Sequence, residues 1–201
     1  RNFKPVKAVT KKKENNSVTK FVFLSRIMPE KGVELIFKAA ASLNALGYES
    51  GYTVDFYGAI EPAYSVQFQS SLLSFTNASY KGFLNLSDYT GYSTLAQYDV
   101  MLFPTLFKNE GFPGVIIDAF IAGLPIIAAG WSLSREMIKE GVTGNVIPQN
   151  DPEALRETML LYISKGVDTQ ILSQNCLMEA RKYDVENVIN EALLTEAGLL
   201  C

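Results

Sequence analysis

Short apolar runs recur along this chain, and each is followed by a stretch with helical spacing. Residues 20–25 (KFVFLS) read as a first strand. Residues 31–46 then carry Val33, Ile36, Ala40 and Leu43 on one helical face, with Gly47 as a stop. The pattern continues with a strand at 52–57, a helix over 62–76, and a short strand at 79–83 that contains Gly82. It goes on with a helix over 87–97 capped by Ser87, a buried strand at 99–103 closed by Pro104, and a helix over 114–122 behind a Gly/Pro-rich turn. A strand at 124–128, a helix at 133–140, a strand at 143–147 and a helix capped by Asp151 follow. Residues 169–182 and 185–197 show two further helical patterns. Strands that are apolar throughout, alternating with helices, predict an α/β fold: a doubly wound parallel sheet with helices on both faces.

The length of 201 residues and 48% hydrophobic content suit one well-buried domain. It is expected to span 19–201, after a polar arm or linker at 1–18 that lacks periodicity. That arm is basic: residues 1–20 hold seven Lys or Arg against Glu14, a charge of +6, so the rest of the chain carries −9 of the net −3. A basic arm can touch an anionic surface or simply be solvated, whereas an acidic body argues against nucleic acid as a partner.

The chain has no His, which removes a Ser-His-Asp triad, a Cys-His pair and a His-ligated zinc from consideration. Its two cysteines, Cys176 and Cys201, lack metal-site spacing, and a reducing compartment is expected. The longest apolar stretch, 119–133, is broken by Gly123, Pro125 and Gly130, so it does not read as a membrane span.

Right-handed crossovers bring the loops after each strand to one edge of a parallel sheet, where ligands bind. The expected site is therefore built from loops 25–31, 58–61, 82–87, 104–114 and 129–136. In Asn109-Glu110-Gly111-Phe112-Pro113-Gly114-Val115, the glycines permit a tight turn, and Pro113 suits a first helical position. The free amides of Gly114 and Val115 would then form an anion site at a helix N-terminus. Glu110 stands before that turn, and Asp118 lies about one turn inside the helix. Carboxylates beside an anion site suit hydroxyl groups, since they only accept hydrogen bonds, and phosphates with many hydroxyls describe a nucleotide sugar. The plainer alternative has Glu110 closing the loop and Asp118 on a solvated helix face.

Arg26 follows the first strand and Lys31 opens the first helix. A cation at a helix N-terminus opposes the dipole, and a bound diphosphate would reverse that sign. Equally, both could be surface cations partnered by Glu30 or Glu34. There is no GxGxxG after the first strand and no Walker A sequence. Tyr80, Tyr89, Tyr92 and Tyr98 could stack on a base or pack as ordinary aromatics.

Taken in order, these segments resemble the C-terminal half of family-4 retaining glycosyltransferases with the GT-B fold. The resemblance rests on Ser25-Arg26 with Lys31-Gly32, Gly58, Gly82, Tyr98-Asp99-Val100 leading to Pro104-Thr105, and Glu110-Gly111-Phe112-Pro113 with an acid eight positions on. It continues through 119–125 (AFIAGLP), Glu136, Gly141-Val142-Thr143-Gly144 and Asp151-Pro152-Glu153-Ala154-Leu155. Asn2-Phe3-Lys4-Pro5-Val6 looks like the linker joining the two halves of such enzymes.

The resemblance implies a Rossmann-like domain that binds a nucleoside-diphosphate sugar. Arg26 and Lys31 would hold the diphosphate, and Glu110 would accept from the donor sugar. Amides around Phe112, Gly114 and Val115 would meet sugar and phosphate. Asp118 stands where the family usually has Glu for the ribose and is one methylene shorter. Leu84 and Leu86 occupy the usual nucleobase loop. The implied reaction is hexosyl transfer to an acceptor hydroxyl with retention, with no cofactor and no metal required. The acceptor-binding N-terminal half is not in these residues, so the isolated chain is expected to bind donor weakly and transfer little. Enzymes of this kind build polysaccharides or glycolipids, which implies a cytoplasmic location and peripheral membrane contact of the full protein. The competing readings are a non-catalytic nucleotide-sugar-binding partner subunit and a GT-B-like epimerase.

Overall fold

The computed structural model describes residues 3–6, 17–107 and 110–185. Six strands form one sheet: β1 (Thr19–Leu24), β2 (Tyr52–Tyr57), β3 (Ala78–Tyr80), β4 (Val100–Phe103), β5 (Ile126–Ala129) and β6 (Gly144–Ile147). Their order is β3-β2-β1-β4-β5-β6, and every neighbouring pair is parallel. Between them lie α1 (Val33–Ala45), α2 (Ser65–Leu72), α3 (Tyr89–Leu95), α4 (Gly114–Ile121) and α5 (Ser134–Met137). After β6 come α6 (Pro152–Ile163) and α7 (Thr169–Ala180).

The sheet is covered on both faces, as its sequence predicts. Side chains alternate along each strand, so neighbouring residues enter different cores. Phe21, Phe23, Val54, Phe56, Leu102 and Ile127 join one core with residues of α1, α2 and α6. Val22, Tyr57, Met101, Phe103, Ile126 and Ala128 join the other, with residues of α3, α4, α5 and α7. The first core is strongly aromatic: Phe37 packs on Phe56, Phe68 and Phe75 with ring centroids 5.3, 5.9 and 5.5 Å away.

Several expected boundaries move, each for a local reason. The third strand stops at Tyr80 rather than reaching 83, because Gly82 takes φ +81° and turns the chain out of extended geometry. Asp88, not Ser87, caps α3: its carboxylate accepts from the Thr90 and Gly91 amides. The Ser87 amide is itself bound by Asn85. Pro113 is the N-cap of α4 in extended conformation rather than its first residue. The stretch at 62–76 is a 3-10 turn (Pro62–Tyr64) leading into α2. The helix expected over 133–140 ends at Met137, where Ile138 becomes extended and buries its side chain. Asp151 caps α6 as expected, accepting from the Ala154 amide.

The arm is attached to the domain where it is described. Lys4 forms a parallel bridge with Asp184, its amide donating to the Tyr183 carbonyl at 3.0 Å and its carbonyl accepting from Val185 at 3.2 Å. Residues 7–16, most of the helical pattern at 185–197 and Cys201 lie outside the described residues. Cys176 is buried, its thiol donating to the Thr143 carbonyl at 3.6 Å. No helix among the described residues is long and apolar enough to cross a membrane.

Candidate active site

The strand order reverses between β1 and β4, and this fixes where the site lies. β1 leads away on one side and β4 on the other, so the loops after them diverge and leave a crevice beyond their carboxyl ends. Two backbone contacts set the width of its floor. The Leu106 amide donates to the Glu30 carbonyl at 2.8 Å. Gly32, at φ +76°, lies so near Pro104 that a Cβ there would stand 1.9 Å from the Pro104 carbonyl oxygen. Only glycine fits, both for the left-handed backbone and for the close approach.

Lys31 and Glu110 meet across this crevice. Lys31 ends a 3-10 turn (Pro29–Lys31) just before Gly32, the N-cap of α1. Its ammonium donates to Glu110 Oε2 at 2.7 Å, with the side chains only 15% and 11% exposed, and it lies 4.9 Å from the centre of the Phe107 ring. The partner of Lys31 is thus Glu110 rather than Glu30 or Glu34. Glu34 instead accepts from Tyr64 and Gln67. The carboxylate offsets the unfavourable placement of a cation before the positive end of α1.

Glu110 also accepts from Thr105 Oγ1 at 2.8 Å, and that hydroxyl accepts the Phe107 amide at 3.2 Å. The next residue, Gly111, is held through its carbonyl by the indole N–H of Trp131 at 3.2 Å. Trp131 in turn packs edge-on against Phe103, with centroids 5.4 Å apart. Gly111 has open space where a Cβ would stand and no positive φ, so the expected glycine-specific turn is not required there. At the start of α4, the amides of Gly114 and Val115 precede the first turn bond, which runs from Ile116 to the Pro113 carbonyl.

Arg26 lies on the same loop as Lys31, with an exposed side chain and no ion-pair partner among the described residues. Its neighbour Ile27 is pinned to the loop after β2 by bonds with Ala59 and Glu61. Phe112 packs its ring on Tyr183, centroids 5.7 Å apart.

Asp118 occupies different surroundings. It is 5% exposed, which excludes the solvated helix face. Lys4 reaches both of its oxygens and Tyr92 donates to Oδ1 at 2.6 Å. Burial, then this bond to Asp118, pushes the Tyr92 phenol well above its usual range. A cavity of about 310 Å³ adjoins the cluster, lined by Lys4, Pro5, Leu86, Ser87, Asp88, Tyr92 and Ile121. Leu84 packs into the second core. Of the remaining tyrosines, Tyr98 is buried and bonded to Tyr57 and Asp55, and Tyr80 donates to the Gly58 carbonyl. The side chain of Tyr89 lies outside the description. Among the described residues no group of three or more His, Cys, Asp or Glu is placed to hold a metal ion.

The structure therefore joins Lys31 and Glu110 directly, sets Arg26 and the α4 amides on the same edge, and turns Asp118 toward the arm. Sequence reading missed Lys4, Thr105 and Trp131 as site residues, and it weighed Tyr92 as a base-stacking or packing aromatic rather than as a hydrogen-bond partner of Asp118. Thr105, two residues past the end of β4 at the reversal, carried a usable positional signal; Lys4 was visible only as one charge of the arm and as part of a linker-like segment.

Residues 7–182 match the family model described as glycosyl transferases group 1. The chain belongs to this family. Its six-stranded parallel sheet with helices is Rossmann-like and matches the fold of solved GT-B glycosyltransferases. The amylovoran biosynthesis glycosyltransferase AmsK of Erwinia amylovora is 27% identical over 147 residues, covering 71% of this chain and 35% of AmsK. The chain thus spans about a third of that curated relative. Among solved structures, the pneumococcal O-GlcNAc transferase GtfA in complex with UDP and GlcNAc superposes with a TM-score of 0.76 at 18% identity, over 97% of this chain and 38% of GtfA. Anabaena Alr3699/HepE in complex with UDP gives 0.74 at 18% identity, over 91% of this chain and 50% of HepE. These likenesses establish the fold for this group 1 glycosyltransferase domain.

Proposed function

We propose that this domain holds a nucleoside-diphosphate sugar in the crevice beyond β1 and β4. It serves an enzyme that moves the sugar to an acceptor hydroxyl with retention at the anomeric carbon. The observation that carries this is the Lys31–Glu110 contact of 2.7 Å at the strand-order reversal, which sets a cation and a hydroxyl acceptor side by side where α/β sheets bind ligands.

In this reading Arg26 and Lys31 neutralise the diphosphate, most strongly as it departs and gains charge. Fixed cations and the amides of Gly114 and Val115 supply that stabilisation without a metal, and activity of the full enzyme is expected to survive EDTA. Glu110 accepts from hexose hydroxyls. Asp118, already bound by Lys4 and Tyr92, reaches a ribose through a water or through the Lys4 ammonium. The cavity beside Leu86 and Tyr92 suits the nucleoside. Acceptor binding comes from another part of the full protein, so this chain alone binds donor and transfers little.

UDP bound in GtfA and HepE makes uridine nucleotides the first to try. Calorimetry against UDP-, GDP- and ADP-sugars tests the proposal, with Arg26→Ala and Glu110→Ala alongside. Each variant should weaken the best ligand by about 1–3 kcal/mol, the cost of truncating a charged hydrogen-bond partner. Unchanged affinity in both would remove the site assignment.

A further inference from the structure

Glu110 is held through one oxygen. Oε2 accepts from both Lys31 and Thr105, while Oε1 has no partner among the described residues. An ionised carboxylate has acceptor capacity on both oxygens, so Oε1 is the one available to a ligand.

The two holders differ in kind. Lys31 ends a flexible stem, and its ammonium is a point charge that can exchange partners when a diphosphate arrives. Thr105 is fully buried two residues past the end of β4, and its β-branched side chain has few rotamers. Its hydroxyl oxygen already accepts the Phe107 amide, which leaves its single hydrogen directed at Glu110. Thr105 therefore remains in place when Lys31 does not.

We propose that Thr105 is the positioning residue for Glu110. It anchors Oε2 so that Oε1 faces the donor hexose while Lys31 turns to the diphosphate. This rests on the donor-binding reading above. It adds that recognition of the sugar, as distinct from the nucleotide, depends on a buried threonine hydroxyl that itself touches no ligand.

The test compares UDP-glucose with UDP, GDP-mannose with GDP, and ADP-glucose with ADP by calorimetry on the 201-residue chain. Thr105→Val keeps the shape and removes the donor. It should weaken the sugar nucleotide about tenfold, in line with losing a hydrogen bond to a charged group, and leave the bare nucleotide unchanged. Thr105→Ser should restore the preference. If Thr105→Val does not fold, Thr105→Ala against Thr105→Ser reads the same hydroxyl. Equal weakening of both ligands, no weakening, or failure of serine to restore the preference would overturn the positioning role. In those cases loss of binding in Arg26→Ala would leave the donor reading standing. Absence of binding by the parent chain to every ligand would remove both.

Discussion

Lys4 Nζ meets both carboxylate oxygens of Asp118, at 2.5 and 2.6 Å, across 114 positions of sequence. The pair joins the basic arm to α4, one turn past the amides proposed to meet the donor. Removing one partner of a buried charge pair leaves the other desolvated and unmatched. Lys4→Met keeps the apolar stem and removes the ammonium, leaving Asp118 with Tyr92. It should destabilise the domain by about 1–3 kcal/mol, toward the lower end because the Lys4 side chain is partly exposed. Urea denaturation measures this, and a Lys4→Met/Asp118→Asn double variant should lose less than the sum of the two single variants.

Glu179, whose side chain is 9% exposed, accepts from both Lys139 and Lys182. Burial pushes its carboxyl up, but the bonds from Lys182 and Lys139, with their charges, outweigh burial and hold it below the ordinary value of 4.5. A carboxyl lowered by folding stabilises the native state above its unfolded pKa, and that stability disappears as pH falls through the folded value. Glu179→Gln should therefore melt below the parent at pH 7, and the gap should narrow steadily as the pH is taken from 5 toward 3. A gap that widened on acidification would contradict this.

Gly32 cannot be replaced quietly. Gly32→Ala would force a side chain into a left-handed backbone at about 1–2 kcal/mol and set a Cβ against the Pro104 carbonyl. Both loops must then separate, so the total should exceed about 2 kcal/mol. Thermal melting checks the stability. Donor calorimetry should show weakened binding even at temperatures where the variant is folded, because the same contact sets the spacing of Lys31 and Glu110.

Trp131 is the chain's single tryptophan, and its indole N–H is bonded to Gly111, beside Glu110. Ligand binding that shifts the Glu110 loop should change that hydrogen bond and the emission of Trp131. A fluorescence titration with the best nucleotide sugar should saturate at the concentration given by calorimetry. Trp131→Phe should abolish the signal while retaining the packing on Phe103.

Much of the fold was legible because its strands are marked by period and composition together. The strand Tyr52–Tyr57 was read to the residue, since Gly58 ends it and buried residues recur along it. The Asp151 cap was legible because Pro152 and Glu153 reinforce it locally. The third strand was misjudged because its edge position gives little apolar contrast, and the cap of α3 because Ser87 and Asp88 stand side by side and only geometry chooses between them. Arg26, Lys31, Glu110 and Asp118 could be nominated from spacing, but their partners could not.

The order of apolar runs and helical stretches by itself determined a parallel α/β sheet, since hydrophobic burial follows local periodicity that any short window displays. The tertiary structure alone decided that Lys31 pairs with Glu110, that Thr105 anchors the same oxygen, and that Lys4 takes Asp118. Charge–charge and hydrogen-bond partners are chosen by distance in space, and the reversal of strand order between β1 and β4 brings together loops that lie 79 residues apart in the chain.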